Sequence, residues 1–460
     1  MANMSASAET RRSGPRLARV LTLWDLVIYG IVIVQPTAPL PVFGVVDTVA
    51  KGHVATAVLL AMIAMMLTAI SYGRMACAYP SAGSAYTFAS RELNSNIGFL
   101  TGWSMVLDYL LNPMIGVIFC SRAAMNVLSL PFAAWAAFFA GLFTMMNVRG
   151  VRASARTNTI LAVGMSITVA AFLLSAVRYV VHFRGAGGLL SLQPFYDPQT
   201  FSWPLVSTGT SIAVLTYMGF DTVSTLSEEV ENPRRNVLLA TVLVCLVAGV
   251  TGCVEVYAGQ LVMPDYWNFP NQETAFVTAA GRAGGLLMFH LMNFTLLVAT
   301  IGSSAGAQAG AVRLLYAMGR DNVIPRRFFG YVHPKHRTPT LNAWLTGAVA
   351  LFGALTISYQ SGIELVNFGA FIAFMSVNLA ALTRYYIRAE SRGAKEAAVN
   401  LLPPLLGFFV CLYIWWSLRN SAKLAGSCWL LAGLGYAAWK TCLFRRRLVL
   451  PDLRPDGQHS

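Results

Sequence analysis

The sequence predicts an all-α integral membrane protein of twelve transmembrane helices, two of them broken in mid-membrane, and three observations predict it. Of 460 residues, 56% are apolar and only 11% charged, against about a quarter charged in a soluble domain. Several apolar runs reach the ~20 residues that cross ~30 Å of hydrocarbon. They are continuous rather than alternating, which argues against a transmembrane β-barrel. Two of the runs are interrupted at matching places in the two halves of the chain. In hydrocarbon an unpaired backbone N–H or C=O costs several kcal/mol, so a spanning helix breaks only where the freed groups find other partners. Paired interruptions of this kind point to a transporter's midplane binding site.

In chain order the spans run over 21–50, 54–78, 97–127, 131–148, 156–182, 204–228, 235–262, 284–316, 340–358, 362–387, 400–418 and 425–444. The first is interrupted by Gln35-Pro36-Thr37-Ala38-Pro39-Leu40-Pro41, the sixth around Tyr217-Met218-Gly219-Phe220-Asp221. Residues 1–20 read as a polar tail carrying Arg11, Arg12, Arg16 and Arg19, with no Ala-x-Ala-type cleavage site after it, so the first run is a retained helix. Between spans 2 and 3, the stretch from Pro80 through Phe88 to Arg91, Glu92 and Asn94 is too polar to cross and is expected to lie as a short helix at the cytoplasmic face. The longest connection, 317–339, is basic and contains Pro325, Pro334 and Pro339; residues 445–460 form a second polar tail.

The net charge of +14 raises nucleic acid as a partner, and its distribution points elsewhere. Of 33 Lys and Arg, 26 fall on the tails and the even-to-odd connections, and seven (Lys51, Arg122, Arg178, Arg184, Arg282, Arg419 and Lys423) on the other side. That bias puts both termini in the cytoplasm and supports an even number of spans. The charge is then mostly topology, with attraction to anionic membrane lipid as a by-product and no nucleic acid as partner. The seven cysteines are odd in number, lie mostly within apolar runs and show no zinc or disulfide spacing. Neither a His-Glu-x-x-His, a metal-ligand cluster nor paired catalytic aspartates on facing spans is visible, which argues against an enzyme and leaves no cofactor or metal implied.

Charged groups at bilayer depth are functional candidates by default. Asp108, near the middle of span 3 in Gly102-Trp103-Ser104-Met105-Val106-Leu107-Asp108-Tyr109, has no cationic residue at similar depth in spans 1 to 5. It reads as an anion for a cationic substrate or a proton, with satisfaction by neighbouring hydroxyls as the other reading. Asp221, at the break in span 6, is placed to cap the second half-helix, to meet a substrate amine, or both. Glu255, in the outer half of span 7, lies in a vestibule or pairs with an outer arginine. Glu228 and Glu229 near Arg234 and Arg235 make either a gate-closing ion pair or an ordinary interfacial cluster, and Arg320 joins them as a gate candidate. His290 reads as a packing residue and Asp25 as a group within reach of water. Tyr109, Tyr217 and Phe220 stand beside the breaks, where an aromatic face can meet an ammonium.

At these residues the chain resembles the amino acid–polyamine–organocation superfamily. The matching pieces are Pro80-Ser81-Ala82-Gly83-Ser84-Ala85-Tyr86-Thr87, Gly98-Phe99-Leu100-Thr101-Gly102-Trp103, Gly219-Phe220-Asp221 with Ser227-Glu228-Glu229, and Arg313-Leu314-Leu315-Tyr316-Ala317-Met318-Gly319-Arg320-Asp321-Asn322. Each is loose alone; in this order on these spans they are specific, and they cover roughly residues 20–445. Within the superfamily the chain looks most like bacterial putrescine importers, through Thr68-Ala69-Ile70-Ser71-Tyr72-Gly73, Leu107-Asp108-Tyr109-Leu110, Leu226-Ser227-Glu228-Glu229 and Phe329-Gly330-Tyr331-Val332-His333-Pro334 with Arg337-Thr338-Pro339. The resemblance implies a leucine-transporter-type fold in which 21–182 and 204–387 are inverted repeats, substrate binds between broken spans 1 and 6, and the helices of 400–444 are peripheral.

Two departures bear on substrate and coupling. Amino acid members often carry a glycine- and serine-rich break in span 1, whose amides hold the substrate carboxylate; here the break is proline-rich, and proline removes such donors. Some proton-coupled members carry a lysine in span 5; here that place is near Met165 and span 5 has no lysine. The expectation is a secondary importer in the bacterial inner membrane for a small organic cation, putrescine first, driven by an ion gradient, with Gln35, Thr37, Tyr109, Tyr217, Gly219 and Phe220 lining the site and Asp108 and Asp221 neutralising ammonium groups. Asp108, Asp221 or Glu255 would carry coupling protons, while Ser303 and Ser304 leave sodium open. An amino acid permease of the same fold is the alternative; a membrane-embedded enzyme or a channel stands further off.

Overall fold

The computed structural model describes residues 21–79, 84–150, 155–226, 230–320, 324–389 and 393–440. Its regular structure there is helical, apart from one isolated bridge between Leu21 and Val230. Eight helices are long and apolar enough to cross a membrane, and three shorter apolar helices accompany them.

The first expected span is two helices. Helix α1 (Leu23–Val34) opens with a capping box between Thr22 and Asp25, which gives Asp25 a structural role. It ends at Gln35, whose φ of 69° is rare for a residue with a Cβ. Pro36 disfavours helical geometry at the residue before it, and Pro39 and Pro41 withhold further N–H groups. A short 3-10 turn, Leu40–Val42, then leads into α2 (Phe43–Val49). Helix α3 (Val54–Ala78) follows, and the short polar helix expected at the cytoplasmic face is α4 (Ser84–Glu92). Next come α5 (Ser95–Met125), α6 (Phe132–Arg149) and α7 (Ala155–Arg184).

The sixth span is also broken. Helix α8 (Trp203–Ala213) tightens into a 3-10 turn at Val214–Tyr217, Met218 is extended, and Gly219 takes φ 108°. Beyond it Phe220–Leu226 winds as a 3-10 helix rather than an α-helix. A side chain at Gly219 would have its Cβ 2.9 Å from Ile33 Cγ2, so the second break lies against the last turn of α1, where the first break begins.

Helix α9 (Pro233–Val262) crosses next. Helix α10 (Ala275–Arg320) starts earlier than the eighth span was expected to, because Ala275–Gly284 is already helical. Gly285, at φ 75°, kinks it close to the expected start, and only glycine takes that geometry without strain. A single turn, α11 (Arg326–Phe329), lies in the basic connection, followed by α12 (Thr340–Thr356), α13 (Tyr359–Leu382, with a wider turn to Ile387), α14 (Leu402–Trp416) and α15 (Asn420–Lys440).

Lipid tails are as apolar as leucine, so close packing and interhelical hydrogen bonds hold such helices together. The largest contact joins α3 to α9, where Gly73 meets the backbone of Leu238 and Gly249 meets Met62. Gly116 of α5 lies directly on Ser304 of α10, and Gly347 of α12 on Thr144 of α6. Gln308, fully buried on α10, donates to Thr144 Oγ1 at 3.2 Å, Thr346 Oγ1 at 3.1 Å and the Ala343 carbonyl at 3.2 Å, and so ties three helices together.

Candidate functional site

Around the two breaks stand residues of α3, α5, α10 and α13. Helix α5 contributes Asp108 and Tyr109. Asp108 is half-buried, and Asn112, one turn on along the same helix, is its polar neighbour. Asp221, from the second half of the broken span 6, stands close enough to Asp108 to repel it when both are ionised. Among the described residues no cation pairs with Asp108. The sequence showed no paired aspartates on facing spans; folding brings two together, because Asp108 is on an unbroken helix and Asp221 on a turn whose position only the break at Gly219 sets.

An aromatic wall adjoins the pair. Tyr72 of α3, 1% exposed, lies within electrostatic reach of Asp108, Tyr109 and Asp221. Its ring meets Phe220 edge-on at 5.4 Å and Phe374 of α13 at 6.1 Å, and Phe220 lies 5.7 Å from Phe374. Tyr109 lies against α10, where a Cβ on Gly310 would come within 3.1 Å of its ring. Tyr72, Phe374 and Asn112 were not singled out from the sequence. An aromatic in an apolar helix carries no signal of its own, and Asn112 shows only through its four-residue spacing from Asp108.

The other expected lining residues divide. Gln35 Nε2 donates to the Ala299 carbonyl at 3.3 Å, so it braces the first break against α10. Thr37, 1% exposed, turns its hydroxyl to Met165 Sδ at 3.8 Å. Met165 therefore sits against the break. Tyr217 is completely buried with its hydroxyl donating to the Val58 carbonyl at 2.9 Å, and its electrostatic neighbours are Cys245 and Cys253 rather than the aspartates.

The backbone of the first break is largely spoken for. Of its four N–H groups, three already donate: Gln35 to Ile31, Ala38 to Gln35 and Leu40 to Thr37, at 2.9, 3.2 and 3.1 Å. The segment offers few free amides to an anion.

Glu255 is neither in a vestibule nor paired with an outer arginine, since it is 2% exposed with its Oε2 lacking a hydrogen-bond partner. Glu228 and Glu229 lie outside the described residues, as does the side chain of Arg234; Arg320 is exposed at the end of α10. The end of the bundle expected to face the cytoplasm holds a different ion cluster among the described residues. Glu92 of α4, 2% exposed, accepts from Arg384 at 2.6 Å, Arg388 at 2.8 Å and the Tyr79 hydroxyl at 2.5 Å, beside a cavity of about 380 Å³. Tyr79 lies just past the end of α3, where burial, and then its bond to Glu92, hold its hydroxyl above the ordinary tyrosine range.

A family model described as amino acid permease matches residues 43–425. The chain is 35% identical over 450 residues to the low-affinity putrescine importer PlaP of Escherichia coli (strain K12), a match covering 96% of this chain and 98% of that protein. It is 27% identical over 452 residues to a methylthioribose transporter of Bacillus subtilis (strain 168), and 27% over 451 residues to the branched-chain amino acid permease BcaP of the same organism, each covering 91% of this chain and 92% of the relative. With its apolar helices, this makes the chain an integral membrane transporter, and it belongs to the amino acid permease family.

Proposed function

We propose that this chain imports a small organic cation, putrescine first, across a bacterial inner membrane by alternating access. The observation that carries the reading is the Asp108–Asp221 pair beside the Tyr72–Phe220–Phe374 wall, around the two breaks. A cation between two carboxylates removes their repulsion, and aromatic faces favour an ammonium. Putrescine carries an ammonium at each end of a four-carbon chain, so its charged ends suit the acids and its methylenes the aromatic wall. The mostly occupied amides of the first break favour a ligand without a carboxylate. The name of the 35% identical relative adds support.

In this reading twelve spans form two inverted repeats, 21–182 and 204–387, with 400–444 peripheral and both termini cytoplasmic. A proton gradient drives uptake through Asp108, Asp221 or Glu255, and Glu228, Glu229, Arg234 and Arg320 lie at the cytoplasmic gate. The alternative, an amino acid permease, draws on the branched-chain relative and would seat a carboxylate on the remaining amide of the break and the Thr37 hydroxyl.

The deciding experiment is uptake of labelled putrescine into proteoliposomes, competed with excess polyamines and excess amino acids. Saturable uptake blocked by polyamines alone is the expected result. Flux of an amino acid without putrescine uptake would overturn the substrate.

A further inference from the structure

Glu255 is a buried acid that the substrate site leaves unused. It lies on α9, with Gly252 three residues before it and Gly259 four after it. Residues at such spacings lie one above another on a helix face. A Cβ on Gly252 would stand 3.2 Å from Pro39, and one on Gly259 would stand 2.9 Å from Phe276 and 3.3 Å from Phe43. Pro39 belongs to the break of the first span, and Phe43 begins its outer half. Glu255 thus occupies the seam between α9 and the outer edge of that break, 2% exposed and with Oε2 unpartnered.

The ionisable groups on the elements packed against α9 do not explain it. Helix α3 and its cap carry His53, Tyr72, Arg74 and Cys77; α1 carries Asp25 and Tyr29; α2 carries Asp47. Helix α7 carries Arg178, Tyr179, His182 and Arg184, and the broken span 6 carries Tyr217 and Asp221. Helix α10 carries Arg282, His290, Arg313, Tyr316 and Arg320, and α9 itself carries Arg235, Cys245, Cys253 and Tyr257. Among the described residues none of these groups forms an ion pair with Glu255. His53 is engaged elsewhere, its ring bonded to the Ala50 carbonyl at 2.8 Å and accepting from the Asp197 N–H at 3.0 Å.

An ionised carboxylate out of water and without a partner is costly. A proton removes that cost and needs only the one free oxygen. We propose that Glu255 binds and releases the coupling proton, from a seat against the break of the first span and apart from the carboxylates that hold the substrate. This rests on the reading of the chain as a gradient-driven importer. Protonated, Glu255 tolerates the closed seam; ionised, it favours the arrangement in which water reaches it. Because one wall of the seam is the broken span, protonation biases the same element that lines the substrate site, which is the differential binding that a ligand-driven shift requires.

The test uses the full-length protein in proteoliposomes. Wild type, Glu255→Gln and Glu255→Asp are compared for putrescine accumulation under an imposed inward proton gradient and for putrescine exchange without one, across pH. In parallel, infrared difference spectra between acid and alkaline pH, recorded without substrate, report the protonated-carboxyl band. Glu255→Gln is expected to lose gradient-driven accumulation and the pH dependence of exchange, and to lose one carboxyl band. Glu255→Asp is expected to restore a gradient response with a displaced pH profile. Wild-type accumulation by correctly inserted Glu255→Gln, loss of exchange together with accumulation in both variants, an unchanged carboxyl band, or accumulation that follows sodium instead would each overturn the proposal. If the wild type moves an amino acid and no putrescine, the substrate reading fails, while the infrared comparison still decides the role of Glu255.

Discussion

Asp108 and Tyr72 mark the limits of what single residues disclose. A carboxylate inside an apolar run is costly, so Asp108 was visible in the sequence as a functional candidate. Tyr72 stood in the sequence only as part of the resemblance over residues 68–73, with no role of its own, and only the fold sets it beside both acids. Tyr217 shows the converse, since a place beside a break marked it for the site and its hydroxyl is spent on the Val58 carbonyl. Two outcomes follow for putrescine uptake. Asp108→Asn keeps the size but removes the charge, so uptake should fall to background while the purified protein elutes and melts as wild type; normal uptake by inserted protein would remove Asp108 from the site. Tyr72→Leu removes the aromatic face and should raise KM by about 2- to 30-fold, from ~0.5–2 kcal/mol of cation–π attraction. Tyr72→Phe keeps the ring and should stay near wild type, and equal effects of Leu and Phe would assign the role to the hydroxyl.

The breaks were legible as elements because proline and glycine act locally. Pro36 stops α1 at Gln35 whatever surrounds it, and Gly219 permits φ 108° that other residues resist. The kink at Gly285 and the helical lead-in Ala275–Gly284 were not legible, because neither apolar content nor length changes there in a way that marks a helix start. The 3-10 winding of Phe220–Leu226 depends on neighbours and was equally hidden. Gly219→Ala adds both backbone strain, roughly 1–3 kcal/mol, and a methyl group against Ile33. It should lower the melting temperature and the uptake rate together. Ile33→Ala in the same chain should return only part of the loss, because it makes room and leaves φ unchanged; full rescue would show that crowding alone was at issue. At the end of the bundle that carries α4, Glu92 ties that helix to the end of α13. Removing one member of a buried pair costs up to ~3–5 kcal/mol, and the part-exposed Arg384 and Arg388 recover some of that from water. Glu92→Ala should therefore melt measurably earlier, and an unchanged melting curve would reduce the cluster to a surface feature.

For the molecule as a whole, the direction of transport depends on which face is cytoplasmic, and the distribution of basic residues is the feature that bears on it. A bias of 26 basic residues to seven is a strong positive-inside signal, because translocating a short basic loop opposes the membrane potential and the insertion machinery. It assigns the basic connection around Lys335 to the cytoplasm and the connection around Ser191 to the outside. Both positions lie outside the long helices, where one side chain can change without disturbing a helix. Cys428 is exposed and the other described cysteines are buried or half-buried, so a background with Cys428 and Cys442 replaced by serine should be nearly silent to a membrane-impermeant maleimide. In that background Ser191→Cys should label on intact cells and Lys335→Cys only after permeabilisation. The reverse pattern would turn the whole chain over. The seam holding Glu255 and the outer edge of the first break would then face the cytoplasm, the Glu92 cluster would face outward, and a gradient that loads the site from outside would reach it through the other half of the protein.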